Sequence, residues 1–486
     1  MPSPVAIIDK LAFGGNGVCR IDGKVCFVPL SCPGDEVRLE VTAEKRSYLT
    51  ARITELLSPS PLRVVPPCPL FGSCGGCNWQ HIAYAGQLAA KREIHAETLW
   101  RGARVENRRI GETLPSPHEY GYRNRVQFKL HAGAVGLQIG FFRNGTHFVE
   151  DAPQGCPIAL PAINRALRNL RSVLVSFPEP AAISQINIEC GEQESVATIN
   201  YIGNNHDAVA HFFRERFPEL SPLSGVYLQT GRKSTLQKLC GDGYLAYPMP
   251  AAVPGTPPAT LTFRPGGFSQ VNGAQNRAIL EIVRRMASLG GHEDLLDLYC
   301  GNGNFSVPLA QCVASVTGLE GYGDSIAAAR DNCRLNGIAN GEYICVDVAS
   351  GVARLAAAGR RFHTVILDPP RTGAAEALPA LCRLNPDRII YISCDSSTLA
   401  RDCGLLARHG YCVAESVPVD MFPHTPPVRY GTMPFVAEPP PIVRSRNELR
   451  ETPVGSAVPA PALASKNPLL TVFSARLLEL TAKLES

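Results

Sequence analysis

Cys68, Cys74 and Cys77 stand in a C-x5-C-x2-C spacing, and a fourth cysteine lies in Gln154-Gly155-Cys156-Pro157. Three thiols so close in a glycine-containing loop have no packing reason to be there. Four thiolates could hold either zinc or a four-iron cluster. The long first spacing is unusual for a zinc ribbon, but ligand chemistry alone leaves both metals open. A second constellation begins at Leu296-Asp297-Leu298-Tyr299-Cys300-Gly301-Asn302-Gly303-Asn304-Phe305. It reads as a buried strand running into a Gly-x-Gly turn that opens a helix, so the backbone can approach a ligand at the strand's carboxyl end. A dinucleotide fold would place a third glycine near the helix start, where this chain has Ser306. Glu320, after the next strand, is positioned to accept hydrogen bonds from ribose hydroxyls and suits a ribose without a phosphate. With Asp368-Pro369-Pro370 after the fourth strand, the ordered set points to S-adenosylmethionine. The fifth strand ends in Ile392-Ser393-Cys394-Asp395. A cysteine at that edge faces the cofactor crevice, where a nucleophilic thiolate would belong. Taken alone, such a cysteine is more often a small core residue.

The elements that must position these groups divide the chain of 486 residues into several units. The overall class is α/β. Residues 1–57 read as an OB-like β-barrel, with short strands broken by Gly14-Gly15-Asn16-Gly17, Asp22-Gly23 and Pro33-Gly34-Asp35. Residues 58–261 hold the cysteine-rich loop, a helix near Gln87 to Arg101 and a mixed α+β domain. From 262 to 425 apolar strand runs alternate with helical segments, which indicates a Rossmann-like, largely parallel sheet covered on both faces. Residues 426–486 form an atypical Pro- and Ala-rich tail in which only Leu469 to Leu484 looks like an amphipathic helix. A hydrophobic content of 45% with 19% charged residues is that of a globular protein. The start of the chain has no basic region followed by an apolar run, and no apolar stretch is long enough to cross a bilayer. A cytoplasmic monomer with no membrane contact is expected. Its 17 cysteines should then be reduced, with Cys190, Cys240, Cys312, Cys333 and Cys382 used in packing. The net charge of +4 permits nucleic-acid binding without arguing for it.

The barrel, with Leu11-Ala12-Phe13-Gly14-Gly15-Asn16-Gly17-Val18 and Phe27-Val28-Pro29-Leu30, resembles the TRAM domain, an RNA-binding module. The whole chain to about residue 425 resembles the bacterial RNA uracil-5-methyltransferase family, in its iron–sulfur branch acting on 23S rRNA. The motifs are Phe268-Ser269-Gln270-Val271-Asn272, the Asp297 to Phe305 turn, Asp368-Pro369-Pro370-Arg371, Ser393-Cys394 and Asp420-Met421-Phe422-Pro423-His424-Thr425. That resemblance implies an S-adenosylmethionine pocket lined by Gln270, Tyr299, Asn304, Glu320, Asp347 and Asp368. It implies a 4Fe-4S cluster on Cys68, Cys74, Cys77 and Cys156, and Cys394 as the residue that attacks the base. C5 of uracil is a poor nucleophile until a thiolate adds at C6, and a base must then remove the C5 proton. Reaching both ring faces would require an unpaired or flipped-out nucleotide. Trp79, His81, Tyr122, Arg123, Arg125 and Lys129 are candidates to contact RNA.

Three rival enzymes fit the motifs less well. An RNA cytosine-5-methyltransferase would add a second cysteine beside the fourth-strand proline, which this chain lacks. A radical methylthiotransferase would need a C-x3-C-x2-C triad. An amino methyltransferase would carry an aromatic residue where this chain has Arg371. A catalytically impaired RNA-binding or assembly factor on the same scaffold is the alternative from another class. Two departures bear on it. Asp395-Ser396 replaces the family's usual Asn-Pro, which should soften the loop after the cysteine. The family's general-base glutamate falls on Arg429, which cannot accept a proton, and the closing strand pattern is lost from Tyr430 onward. A change of reading frame near residue 425 would produce such a break, and Glu438 is the nearest alternative base.

Overall fold

The computed structural model describes residues 3–134, 136–231, 235–252 and 255–426, with the backbone of 435–438. Alternation of apolar and polar residues builds the first layer. Strands β1 (Val5–Ile7), β2 (Lys10–Leu11), β3 (Gly17–Ile21), β4 (Lys24–Val28), β5 (Glu36–Glu44) and β6 (Tyr48–Ser58) form one sheet in the order β1-β5-β6-β4-β3-β2. Its inward residues, among them Ile8, Cys19, Cys26, Val28, Val37 and Leu39, make a closed apolar core. The buried Asp35 ties the following linker to this barrel. It accepts from Cys32 N and Ser60 N and is gripped by Arg63 at 2.8 Å.

Helix α1 (Tyr84–Ala103) follows the cysteine-rich loop. Next come β7 (Arg125–Gly133), β8 (Gly136–Phe142), β9 (Val149–Asp151), α2 (Pro161–Leu174), β10 (Ile183–Cys190), β11 (Ser195–Tyr201), α3 (His206–Arg216), β12 (Gly225–Gln229) and β13 (Leu236–Gly241). These strands form a sheet of order β13-β12-β11-β10-β7-β8-β9, packed on its helices through Phe128, Leu167, Leu170, Ile186 and Phe213. A separate hairpin, β14 (Leu245–Met249) and β15 (Ala259–Phe263), leads to α4 (Gly273–Ala287).

The last sheet contains β16 (Asp294–Leu298), β17 (Ser315–Glu320), β18 (Gly341–Cys345), β19 (Thr364–Leu367) and β20 (Arg388–Tyr391), all parallel. They alternate with α5 (Ser306–Leu309), α6 (Gly323–Leu335), α7 (Val348–Ala357), α8 (Leu378–Leu384) and α9 (Ser396–Arg408), and β21 (Cys412–Ser416) follows. These strands read as near-continuous apolar runs because both faces are covered, one core lying on each side. The order is β18-β17-β16-β19-β20-β22-β21, in which β22 (Phe435–Glu438) runs antiparallel between β20 and β21. This strand corrects the expectation that the closing pattern is lost beyond Tyr430. It is only four residues long and flanked by proline-rich sequence, too short for a period to register. Residues 427–434 and 439–486, including Arg429 and the helix expected over Leu469–Leu484, lie outside the described residues.

Strand order reverses at β16, with β17 and β18 on one side and β19 and β20 on the other. In an open α/β sheet that reversal opens a crevice at the carboxyl ends of the strands. Although α1 precedes the central sheet in sequence, it packs on α9, and the segment after it pairs along the sheet edge at Ile110–Ser416 and Leu114–Val419.

Candidate active site

The turn after β16 is set by backbone conformations that favour glycine. Gly303 has φ +82°, and a Cβ there would sit 2.4 Å from Val307 Cγ2. The turn brings Gly301 N within 3.3 Å of Glu320 Oε2, while Tyr322 N donates to Glu320 Oε1 at 2.9 Å. Glu320 is thereby fixed at the end of β17, facing the crevice from the neighbouring strand. Asp347 is exposed one strand further along and caps α7 by accepting from Ser350 N at 2.9 Å. That hydrogen bond holds its carboxyl below the usual aspartate range.

Tyr299 is half-buried with φ +60°, and its phenol is pushed up to about 12 by burial and then by the charge of Asp347. Asp297, beneath it, is fully buried, and Ser306 at the start of α5 donates to its carboxyl. Burial, with Glu320 nearby, raises its pKa to about 7. Asp368, at the end of β19, is likewise raised to about 7, by burial and then by Asp297. Asn304 exchanges two hydrogen bonds with Asn276, at 2.8 and 2.9 Å, and accepts a third from Tyr247.

Cys394 is half-buried in the turn between β20 and α9. Burial and the Asp368 carboxylate push its thiol up, and Arg371 pulls it down. The turn is firmly capped. Asp395 accepts from Ser397 N and Thr398 N at 2.8 and 3.0 Å, and Ser396 Oγ meets His95 Nδ1 at 3.2 Å. The softening expected from losing Asn-Pro is therefore opposed by an aspartate cap.

Tyr299, Glu320, Asp347, Asp368 and Cys394 thus line one edge of the sheet, and Asn304 lies in the turn beside them. Gln270 comes from the loop ahead of α4. It shares a cavity of about 290 Å³ with Tyr247 and Asn276, the residues that hold Asn304.

The four loop cysteines line a different cavity, of about 710 Å³, together with Arg123 and Arg125. Burial and then the charge of Cys156 push Cys77 up to about 12, while burial raises Cys156 to about 11. Their mutual influence marks them as neighbours. Among the described residues, however, no three or more His, Cys, Asp and Glu side chains converge closely enough to hold a metal ion.

Three residues expected to meet RNA are core fasteners instead. Trp79 is fully buried and donates to Gly15 O at 2.9 Å. His81 Nε2 lies 3.2 Å from Ser31 O, and Tyr122 donates to Pro423 O. Arg125 is paired with Glu189 at 2.5 Å. Lys129 lies 5.3 Å over the ring of Phe142.

A polar stripe on α1 went unread in the sequence. Gln87, Lys91 and His95, at i, i+4 and i+8, are all buried. They meet His424 at 3.1 Å, Asp420 at 2.5 Å, and Ser396 and Ser416 at 3.2 and 2.9 Å. Polar residues recurring where a helix should be apolar were the available signal.

A sheet that reverses at β16, a glycine turn flanked by an acid at the end of the next strand, and a cysteine on the same edge define a methyltransferase that uses S-adenosylmethionine. Residues 259–434 match the family model for tRNA (Uracil-5-)-methyltransferase, and residues 5–62 the TRAM domain of tRNA (uracil(54)-C(5))-methyltransferase. The 23S rRNA (uracil(1939)-C(5))-methyltransferase RlmD of Alkalilimnicola ehrlichii is 33% identical over 424 residues, covering 86% of this chain and 93% of that protein. Its namesake from Stenotrophomonas maltophilia is 34% identical over 433 residues, covering 87% and 95%. The crystal structure of Pyrococcus abyssi tRNA (uracil-54, C5)-methyltransferase with S-adenosyl-L-homocysteine matches with a TM-score of 0.68 at 25% identity. It covers 89% of this chain and 100% of that one. The chain belongs to the RNA uracil-5-methyltransferase family. Among the described residues no helix is long and apolar enough to cross a membrane.

Proposed function

We propose that this protein methylates C5 of a uridine in 23S rRNA, with Cys394 as the nucleophile. The observation that carries the reading is the half-buried Cys394 thiol on the same sheet edge as Glu320 and Asp368, within the electrostatic reach of Arg371. The Cys394 thiolate adds to C6 of the ring, which makes C5 nucleophilic. S-adenosylmethionine supplies the electrophilic methyl group. Gln270, Tyr299, Asn304, Glu320, Asp347 and Asp368 hold that cofactor. A base then removes the C5 proton and Cys394 is expelled. The barrel of residues 1–57 and the central unit of 58–261 hold the RNA beside the catalytic unit of 262–425. The enzyme works as a cytoplasmic monomer.

The test is methyl transfer from labelled S-adenosylmethionine to 23S rRNA lacking the modification. Label at uridine C5, absent with Cys394→Ala while cofactor binding persists, is the expected result. Substantial turnover by Cys394→Ala, or label on cytidine, would overturn it. Arg429 favours a second reading, in which the last step is impaired and a methylated RNA adduct on Cys394 accumulates. Loss of a general base slows a step by roughly 10²–10⁴-fold. Denaturing gels with labelled RNA would reveal the adduct, and Arg429→Glu should release it.

Cys68, Cys74, Cys77 and Cys156 would hold a 4Fe-4S cluster that pins their loop; the four line one cavity and supply the thiolate chemistry, and their side chains would have to draw together around it. About four irons per chain in anaerobically purified protein is expected. Stoichiometric zinc without iron would replace the cluster with a zinc site.

A further inference from the structure

The turn that carries Asn304 is fastened from outside the parallel sheet. The β14–β15 hairpin is stapled to it and to α6 by a lattice of asparagines. Asn332, fully buried on α6, accepts from Thr262 N at 2.9 Å and donates to Asn302 O at 3.0 Å. Asn336 accepts from Thr260 N at 2.8 Å, and Asn302 Nδ2 donates both to Thr262 O and to Tyr247 Oη at 3.2 Å. The Tyr247 hydroxyl therefore accepts from Asn302 and donates to Asn304 Oδ1 at 3.1 Å. From the other side Asn276, 2% exposed on the first turn of α4, donates to the same Oδ1 and accepts from Asn304 Nδ2.

This leaves the Asn304 amide one orientation. Its oxygen takes two donors, and its nitrogen gives one proton to Asn276 and keeps one in hand. A primary amide in a half-exposed turn with a single unspent N–H is a donor set for one acceptor. The nucleoside half of the cofactor is met by the carboxylates of Glu320 and Asp347, which accept and do not donate. Its amino-acid end carries the ligand's only carboxylate. We infer that Asn276 and Tyr247 are positioning residues that lock Asn304 with its remaining amide proton toward the amino-acid carboxylate of the cofactor. The β14–β15 hairpin, outside the sheet that defines the fold, thereby sets recognition of that end. The inference rests on the cofactor role proposed above for Asn304.

The experiment is titration calorimetry of the full chain with two ligands, S-adenosylhomocysteine and 5′-methylthioadenosine, which has the same nucleoside but no amino-acid group. Asn276→Ala is expected to weaken S-adenosylhomocysteine about tenfold and Tyr247→Phe roughly threefold, the range for one lost hydrogen bond. Binding of methylthioadenosine should stay within about twofold for both. Tyr247→Phe removes a single oxygen, so it reports even if Asn276→Ala is too unstable to measure. Equal weakening of both ligands would mean that the lattice only supports the fold, and the proposal falls. It also falls if Asn304→Ala weakens S-adenosylhomocysteine while neither positioning variant does. If Asn304→Ala itself leaves S-adenosylhomocysteine unchanged, the cofactor role of Asn304 has failed and takes this inference with it.

Discussion

Burial and the carboxylate of Asp368 hold the proton on Cys394, and the guanidinium of Arg371 draws it off. The attack on C6 proposed for Cys394 needs the thiolate. With the thiol above its ordinary value, little thiolate is present at neutrality, and single-turnover methyl transfer should climb steadily between about pH 7 and 9. Arg371→Ala should move that rising limb to higher pH and lower the rate at pH 7.5, whereas Arg371→Lys should hold most of it. A rate already flat across this window would show that deprotonation of Cys394 is not limiting. Asp297 gives a second expectation with the opposite readout. Its pKa of about 7 in the fold exceeds the ordinary 3.8, so the folded state binds the proton more tightly. Stability is therefore lost as pH rises from about 4 through about 7, and stays lower above that. Asp297→Asn should raise the melting temperature of the cofactor-free protein by several degrees at pH 8. The gain should shrink below pH 7 and vanish near pH 4. An equal gain at both ends of the range would assign the effect to packing instead.

The turn that carries Cys394 depends on how closely α1 approaches α9. A Cβ on Gly102 would meet Ala400 Cβ at 2.6 Å, too near for any real contact, so Gly102→Ala must push the helices apart. Overpacking of this kind costs about 1–3 kcal/mol. The displacement acts on α9, whose first residue, Ser396, is held by His95 from α1. Urea denaturation should show the loss, and Ala400→Gly in the same chain should recover part of it, less the helix propensity of alanine. A Gly102→Ala variant as stable as the parent would mean that the helices already have room to slide. Much of this architecture was legible beforehand. The strands of the parallel sheet are unbroken apolar runs, and the helix expected near Gln87 to Arg101 spans Tyr84–Ala103. What could not be read is which face of α1 finds a polar partner. Lys91 and Asp420 lie 329 residues apart in the chain, and nothing local links them. Trp79, His81 and Tyr122 misled for a related reason. An aromatic residue beside a cysteine loop has the same local sequence whether it faces solvent or a core. The placing of Cys394 and the glycine turn at strand ends was legible because it lies in spacing along the chain, which the sheet preserves.

Barrel, cysteine loop, α1 and the catalytic sheet meet at one place, the segment Asp420 to Thr425. Asn78 N and Trp79 N both donate to His424 O, at 3.1 and 3.0 Å, and the His424 ring stacks on Tyr120 at 4.2 Å. Lys91 reaches Asp420 at 2.5 Å and Phe422 O at 3.0 Å. Trp79 is the centre of a small core that takes Leu11 and Cys32 from the barrel, Ile82 from the loop, and Ala90 and Ile94 from α1. A barrel joined to an enzyme could be a tethered arm that swings onto RNA, or a wall of one rigid body. This packing argues for the wall. Trp79→Ala should cost about 3–5 kcal/mol through the cavity it opens. Under the rigid-body view the loosening does not stop at the barrel. Without the indole the loop no longer presents its two N–H groups squarely to His424, and the segment Asp420 to Thr425 relaxes too. Hydrogen exchange should therefore accelerate together in β3, in α1 and over Asp420 to Thr425, and methyl transfer to uridine should fall even on short RNA that the barrel need not grip. If exchange rose in the barrel strands alone, with short-RNA activity intact, the barrel would be a tethered arm and its contribution would lie in RNA affinity.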